Sequence, residues 1–200
     1  LVDSGATYMD GTTDITRTYP LGPLTEDEKR FYTWTLQSHI DLAKAVWLDY
    51  CECKMIDTIA REPLWRHLIN YRCGTGHSVS FVGNVHEGPH ALNSRNTTRM
   101  RPGMVVTDEP GVYETDLVGI RIENELVCVH KADNQYGTFL GFEPLTFVPI
   151  ATSPILPGVL DKDEIAWLND YHRQVFAKLA PHLNDEERSW LAEKCAAIGC

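Results

Sequence analysis

The chain has 200 residues, 43% of them hydrophobic, with a formal net charge of −10. That is enough apolar content for one packed domain or a domain with an appendage, and the acidity disfavours non-specific nucleic-acid binding and adhesion to anionic membranes. No apolar run approaches the roughly 20 residues that a membrane-spanning helix needs.

The opening LVDSGATYMD has neither the basic segment nor the long apolar stretch of a secretory signal. It begins at Leu1, in what reads as a strand already under way, so an N-terminal truncation is expected. Cys51, Cys53, Cys73, Cys128, Cys195 and Cys200 are scattered, and Cys51-Glu-Cys53 lacks the two-residue spacing of a zinc ribbon or redox motif; reduced thiols in a cytoplasmic protein are expected. The sequon at Asn96 is read as chance.

Residues 1–22 read as a β-hairpin turning at Asp10-Gly11. With those two residues as the turn, Asp14 lies opposite Thr7. Asp3 and Asp14 then share a face but sit about 13 Å apart along it, so contact between them needs a bulge or a longer turn. Residues 24–50 read as a long helix, capped by Thr25 and Glu28, with Leu36, Ile40, Ala43 and Trp47 on its apolar stripe. A shorter helix is expected from Met55 to Trp65, limited or bent by Pro63.

From Tyr71 to Arg101 the Gly, Ser and Asn content implies strands and loops. GMVVTDEP and GIRIENELVCVH read as two strands joined around Pro110-Gly111, and FEPLTFVPI as a last strand. Beyond a proline-bearing connector come two helices, the first over DKDEIAWLNDYHRQVFAKLAPHL and the second capped by Asn184 or Asp185. The expected class is α+β, with residues 1–150 as a catalytic unit lacking its N-terminal part and 151–200 as a helical extension.

The strand-like segments hold Asp3, Asp14, His77, His86, Glu109 and Glu123, with only Arg17 and Arg121 as cations among the same strands. Any one of them alone is more simply a surface acid or a satisfied core histidine. As a group they are hard to bury unpaired, since an isolated buried carboxylate costs several kcal/mol or takes up a proton. Two divalent cations would balance four carboxylates. Oxygen-rich ligation with one imidazole suits Mn²⁺, with Zn²⁺ or Co²⁺ as further possibilities. HEGPH at His86–His90 matches the zinc-protease string H-E-x-x-H, but Gly88-Pro89 in its middle opposes the helix that motif requires. GTGHSVS lacks the third glycine of a dinucleotide fingerprint.

DSGATYMDGTTDITRT, GTGHSVSFVGNVHEGP, TDEPGVYE and GIRIEN together resemble the pita-bread metallopeptidases, above all the Xaa-Pro aminopeptidases, and the tail resembles the C-terminal extension of their longer cytosolic type. The resemblance implies a pita-bread fold and two metal ions. It implies Asp3 as a ligand of one metal, Asp14 and Glu123 as bridges, and His77 and Glu109 completing the other, with Glu109 also the general base. It further implies that His86 binds substrate and shuttles a proton, that Arg121 supports Glu123, that the substrate is a peptide with proline second, and that the protein is a homodimer. A dipeptide-only prolidase and a non-catalytic scaffold of the same fold are the alternatives. Three positions depart from the family pattern: Ser78 and Ser80 stand where glycines are usual, and Cys73 where a substrate-binding histidine is expected.

Overall fold

A computed structural model describes residues 1–199 of the chain; Cys200 lies outside the described residues. The first two strands, β1 (Val2–Tyr8) and β2 (Gly11–Arg17), form an antiparallel hairpin. Its two turn residues are Met9 and Asp10, one position earlier than Asp10-Gly11. Gly11 opens β2 at φ 151°, a conformation favouring glycine, opposite Tyr8. The shift matters for the acids. Asp14 lies opposite Gly5 and Asp3 opposite Thr16, so the two aspartates are diagonal neighbours and no bulge is required.

Helix α1 (Glu26–Ala43) carries the full Thr25–Glu28 capping box. It ends well before residue 50: Val46–Leu48 form strand β3, and Trp47 packs from the sheet rather than from the helix. Its β-branched and aromatic neighbours at Val46 and Trp47 favour the pleated conformation once an edge is available. Helix α2 (Cys53–Trp65) contains Pro63 in its last turn.

Strand β4 (Gly76–His77) pairs with β5 (Ala91–Leu92). The region expected to hold two strands holds four: β6 (Val105–Asp108), β7 (Gly111–Glu114), β8 (Val118–Arg121) and β9 (Asn124–Asn134). An extra β7–β8 hairpin turns at residues 115–117, so Glu109 and Glu123 flank it as its two stems. The last strand, β10 (Gly137–Pro144), hairpins onto β9 and then onto β3, giving a four-stranded antiparallel sheet ordered β3-β10-β9-β6. HEGPH is irregular, not helical. Helices α3 (Lys162–Leu179) and α4 (Asp185–Lys194) close the chain, capped by Asp161 and Asn184.

Two apolar clusters hold these parts together. One joins Leu42, Trp47, Ile56, Leu126, Leu140 and Phe142, placing α1 and α2 against the sheet. The other joins Leu36 and Ile40 of α1 to Ile120, Ile122, Leu168, Val175 and Leu191, so the C-terminal helices share a core with the strands that carry the acids. Beneath the acids a buried polar network replaces apolar packing. Arg17, only 4% exposed, donates to the carbonyls of Thr16, Glu123 and Val148 and to the side chain of Asn124. Asn124 in turn meets His39 of α1, whose other ring nitrogen faces Asp108 at 3.2 Å. A buried guanidinium is tolerated because nearly every one of its donors has an acceptor.

Candidate metal centre

Strand periodicity gathers the site. Thr12, Asp14 and Thr16 of β2 share one face, as do Val105, Thr107 and Glu109 along β6 and its extension, and Glu123 and Glu125 at the start of β9. These faces line one concavity, with β4 laid against β6 on a third side. Gly76 permits that approach: a Cβ there would sit 1.8 Å from the Thr107 carbonyl oxygen.

All six acids and histidines singled out in the sequence arrive at this concavity. Their donor atoms form three overlapping groups, each within 4.8 Å: Asp3, Asp14 and Glu123; His77, Glu109 and Glu123; and Asp14, His77 and His86. Glu123, Asp14 and His77 each belong to two groups; the two carboxylates have oxygens enough to be shared between adjacent cations, whereas the His77 ring nitrogen can serve only one. His77 Nε2 lies 3.4 Å from Asp14 and 3.3 Å from Glu109, and the His86 ring stacks on the His77 ring with centroids 3.6 Å apart. Arg121 supplies the nearby positive charge. It pairs with Asp3 and stands 3.8 Å from Glu109 and 3.9 Å from Glu123, while hydrogen bonding the Tyr113 hydroxyl.

Two threonines that sequence reasoning passed over orient the two glutamates. Arg121 Nε donates to Thr16 Oγ1 (2.9 Å), which donates to Glu123 (2.5 Å). The His77 backbone N–H donates to Thr107 Oγ1 (3.0 Å), which donates to Glu109 (2.9 Å). Both threonines are fully buried. Their only sequence signal is position: each stands two residues from an acid on its own strand, hence on the same face.

The electrostatics show what the residues alone cannot balance. Burial, followed by repulsion from Glu109 and, more weakly, Asp14, pushes Glu123 up to about 8, with Thr16 and Arg121 only partly offsetting it. Burial likewise raises Glu109 above the usual carboxylate range despite His77 nearby. For His77, burial opposes the charged ring, yet the Asp14 carboxylate, the Ser78 carbonyl and Glu109 hold its pKa above the ordinary value. His86 is lowered by burial and by His77. Oxygen-rich donors that repel one another at this spacing fit a pair of divalent cations better than they fit each other.

The comparisons agree with that class of site. Residues 1–130 match the model of metallopeptidase family M24, and residues 138–198 match the C-terminal region of peptidase M24. The chain superposes on the crystal structure of the X-prolyl aminopeptidase of Caenorhabditis elegans, a cytosolic enzyme with a di-nuclear active site. The TM-score is 0.92 at 40% identity, covering 98% of this chain and 33% of that one. The prolidase of Pyrococcus furiosus gives a TM-score of 0.62 at 30% identity, covering 73% of this chain and 40% of that one. In sequence, aminopeptidase P1 of Lotus japonicus is 42% identical over 205 aligned residues, which take in 100% of this chain and 31% of the relative; aminopeptidase P2 of Arabidopsis thaliana is 45% identical over 198, with 96% and 28% covered.

The fold is therefore the pita-bread fold of prolidases and aminopeptidases P, α+β in class. The chain belongs to metallopeptidase family M24 and spans about a third of the length of the curated relatives it matches.

Proposed function

We propose that the protein to which this chain belongs is an Xaa-Pro aminopeptidase, releasing the N-terminal residue from peptides with proline second. The observation that carries the reading is the set of three donor groups interlocked through Asp14, His77 and Glu123. Asp3, Asp14, His77, Glu109 and Glu123 would hold two divalent cations, with Mn²⁺ first among the candidates for so oxygen-rich a set. Bound there, such ions lower the pKa of a shared water and polarise the scissile carbonyl.

The chain's own groups handle position and protons. Glu109, its pKa raised by burial, is placed to take the proton of the attacking water. His86, stacked on His77 at the rim of the site, passes a proton toward the proline nitrogen as it leaves as an amine. Arg121 and the two threonine relays fix Glu109 and Glu123, so that neither carboxylate must reorganise during the reaction. The match of residues 138–198 to the family's C-terminal region, and the fuller coverage by the X-prolyl aminopeptidase than by the prolidase, favour this reading over a dipeptide-only enzyme. A catalytic unit over 1–150 followed by a helical extension over 151–200 goes with the same reading, although the match to the family's C-terminal region begins earlier, at residue 138. A cytoplasmic homodimer goes with the same reading, and light scattering on the full-length protein tests the assembly.

The decisive test is elemental analysis of the full-length protein beside hydrolysis of an Xaa-Pro-Xaa peptide and an Xaa-Pro dipeptide. About two equivalents of divalent metal per chain and preference for the longer peptide are expected. A protein that takes up no metal, or that cleaves only the dipeptide, sinks the proposal.

A further inference from the structure

The strands that bear Glu109 and Glu123 part where the two glutamates begin. Asp108 and Asn124 form the last pair of the β6–β9 ladder. One residue further on, the Glu109 N–H turns to the Thr75 carbonyl (2.8 Å) and the Glu123 N–H to the Thr16 carbonyl of β2 (3.0 Å). The ladder itself therefore does not hold the two glutamates together, although their carboxylate oxygens lie within 4.8 Å of one another and repel. Behind this fork, on the opposite face of the strands, a buried side chain spans the gap. His39 of α1, fully buried, has Nε2 3.2 Å from Asn124 Nδ2 and Nδ1 3.2 Å from both the carbonyl oxygen and Oδ2 of Asp108. These hydrogen bonds have one possible direction. Arg17 can only donate, and it donates to Asn124 Oδ1 at 2.7 Å, so the other end of that amide is the NH₂. The Asn124 NH₂ donates to His39 Nε2, and the ring carries its proton on Nδ1, pointing at Asp108. Trp167 of α3 packs against the ring at 79°, with centroids 5.9 Å apart, and fixes its plane.

We propose that His39 is a positioning residue for the metal centre: by bridging Asp108 and Asn124 it holds the fork at the width that lets Glu109 and Glu123 serve one pair of cations. This rests on the reading of the site as a two-metal centre. His39 hydrogen bonds neither glutamate, and it acts on them through the backbone of the residues beside them. Filling the core does not by itself call for an imidazole here. An apolar side chain of that size would occupy the space, whereas an imidazole brings two polar atoms that each need a partner in a fully buried place. Both atoms find one, and both partners are immediate neighbours in sequence of a glutamate of the site. Arg17 holds the Glu123 side of the fork through the Glu123 carbonyl and Asn124, but it makes no hydrogen bond to β6. Of the two, only His39 reaches both strands, so its removal frees Asp108 and with it Glu109.

The test uses the full-length protein, stripped of metal and titrated calorimetrically with Mn²⁺, with electron paramagnetic resonance of the loaded sample as a second readout. His39→Leu keeps the bulk and removes both hydrogen bonds. It should weaken Mn²⁺ binding by about tenfold or more, as disturbing the outer partners of ligands does, and replace the signal of a spin-coupled pair by that of isolated ions. Ile56→Ala opens a cavity in the core beside α2 and controls for lost stability alone. It should lower the melting temperature yet leave Mn²⁺ affinity within about twofold of the unaltered protein, because it touches none of these partners. His39→Gln, whose amide reaches the place of Nε2 but not that of Nδ1, should weaken binding by a smaller factor. Affinity within about twofold of the unaltered protein in His39→Leu, or in His39→Gln where the leucine variant does not fold, overturns the proposal, and so does an equal loss in Ile56→Ala. Neither readout involves a peptide. A protein that loses its coupled ions in His39→Leu yet cleaves no Xaa-Pro bond fails the proposed function and leaves this assignment standing, whereas an unaltered protein that takes up no Mn²⁺ ends both.

Discussion

Replacing Gly76 by alanine is the sharpest mechanical test of how the site is assembled. The added Cβ falls 1.8 Å from the Thr107 carbonyl oxygen and 2.7 Å from its carbon, both backbone atoms that cannot rotate away. An ordinary carbon–oxygen contact is about 3.3 Å, so β4 and β6 must part by about 1.5 Å. That separation breaks the 3.0 Å bond from the His77 N–H to Thr107 and strains the 2.8 Å bond from the Glu109 N–H to the Thr75 carbonyl. One hydrogen bond lost and one weakened, together worth about 1–2 kcal/mol, with buried groups left partly unpaired at about 1–2 kcal/mol, give a loss of about 2–4 kcal/mol. The same movement carries His77 away from Glu109 and Asp14, now 3.3 and 3.4 Å from its Nε2, and releases the Thr107 relay that aims Glu109. Metal affinity should fall by about tenfold or more, as it does when outer partners of ligands are disturbed. Urea midpoints at unchanged slope read the stability, and calorimetric titration with Mn²⁺ reads the affinity. Gly22→Ala, with nothing within 4 Å of its Cβ, is the control. If Gly76→Ala matches that control within about 0.5 kcal/mol and titrates like the unaltered protein, the close approach of β4 to β6 does not position the site.

Gly5→Ala places a Cβ 2.4 Å from the Thr13 carbonyl oxygen, but on a strand exposed along its whole length. It should cost less stability than Gly76→Ala and yet weaken uptake of the first metal equivalent, because Asp3 is carried away from Asp14; unaltered metal stoichiometry and affinity would count against Asp3 as a ligand. Glu123→Gln removes a carboxylate whose folded pKa of about 8 exceeds its ordinary value, so its cost grows as pH rises from about 4.5 to 8. Metal-free protein at pH 8 should gain about 2 kcal/mol from the change, within a ceiling of about 4, while losing the rise in melting temperature that metal confers; a variant still stabilised by metal would exclude Glu123 from the site. His172, fully buried with its Nε2 accepting from the Ile150 N–H, is lowered to about 4 by burial and then by Arg17. The unfolded ring binds a proton near pH 6.5 and the folded one does not until about 4, so stability falls as pH drops across that window, by about 3 kcal/mol. His172→Gln should flatten this slope between pH 7 and 4.5 in urea titrations, and an equal slope in both proteins would assign the acid sensitivity elsewhere.

Much of this site could be read from the chain because its residues are chemically costly. Carboxylates and histidines at strand positions demand partners, so Asp3, Asp14, His77, Glu109 and Glu123 stood out before any geometry was known, and the structure brings them together. The Thr25–Glu28 cap was equally legible because it satisfies local donors within one turn, and of the two candidates for the last helix, Asn184 and Asp185, Asn184 is the cap, completed by Glu187. What escaped was tertiary. Trp47 lies on helical spacing from Leu36 and Ile40, but the edge of β10 captures residues 46–48 as a strand. Thr16 and Thr107 look like ordinary strand threonines, and only the positions of Glu123, more than a hundred residues beyond Thr16, and of His77 reveal them as relays.

The hairpin register shows why such information cannot be local. Asp10-Gly11 is a good turn pair, and a turn there would leave the acidic face intact, because sliding the pairing by two residues preserves which side chains point together. It would still place Asp14 opposite Thr7 and leave the aspartates about 13 Å apart along the strands. The chain instead turns at Met9-Asp10, and the reason lies outside the turn. In this register Gly5 faces Asp14, and Thr13 closes on the Gly5 backbone to within a distance that no larger residue would allow. Thr16 also reaches Glu123, while Arg17 at the end of β2 ties the Glu123 carbonyl and Asn124 into the buried network. Contacts across more than a hundred residues therefore select the register, and the selected register is the one that makes Asp3 and Asp14 neighbours. The same contacts that hold the hairpin to the body of the protein set the spacing of its acids.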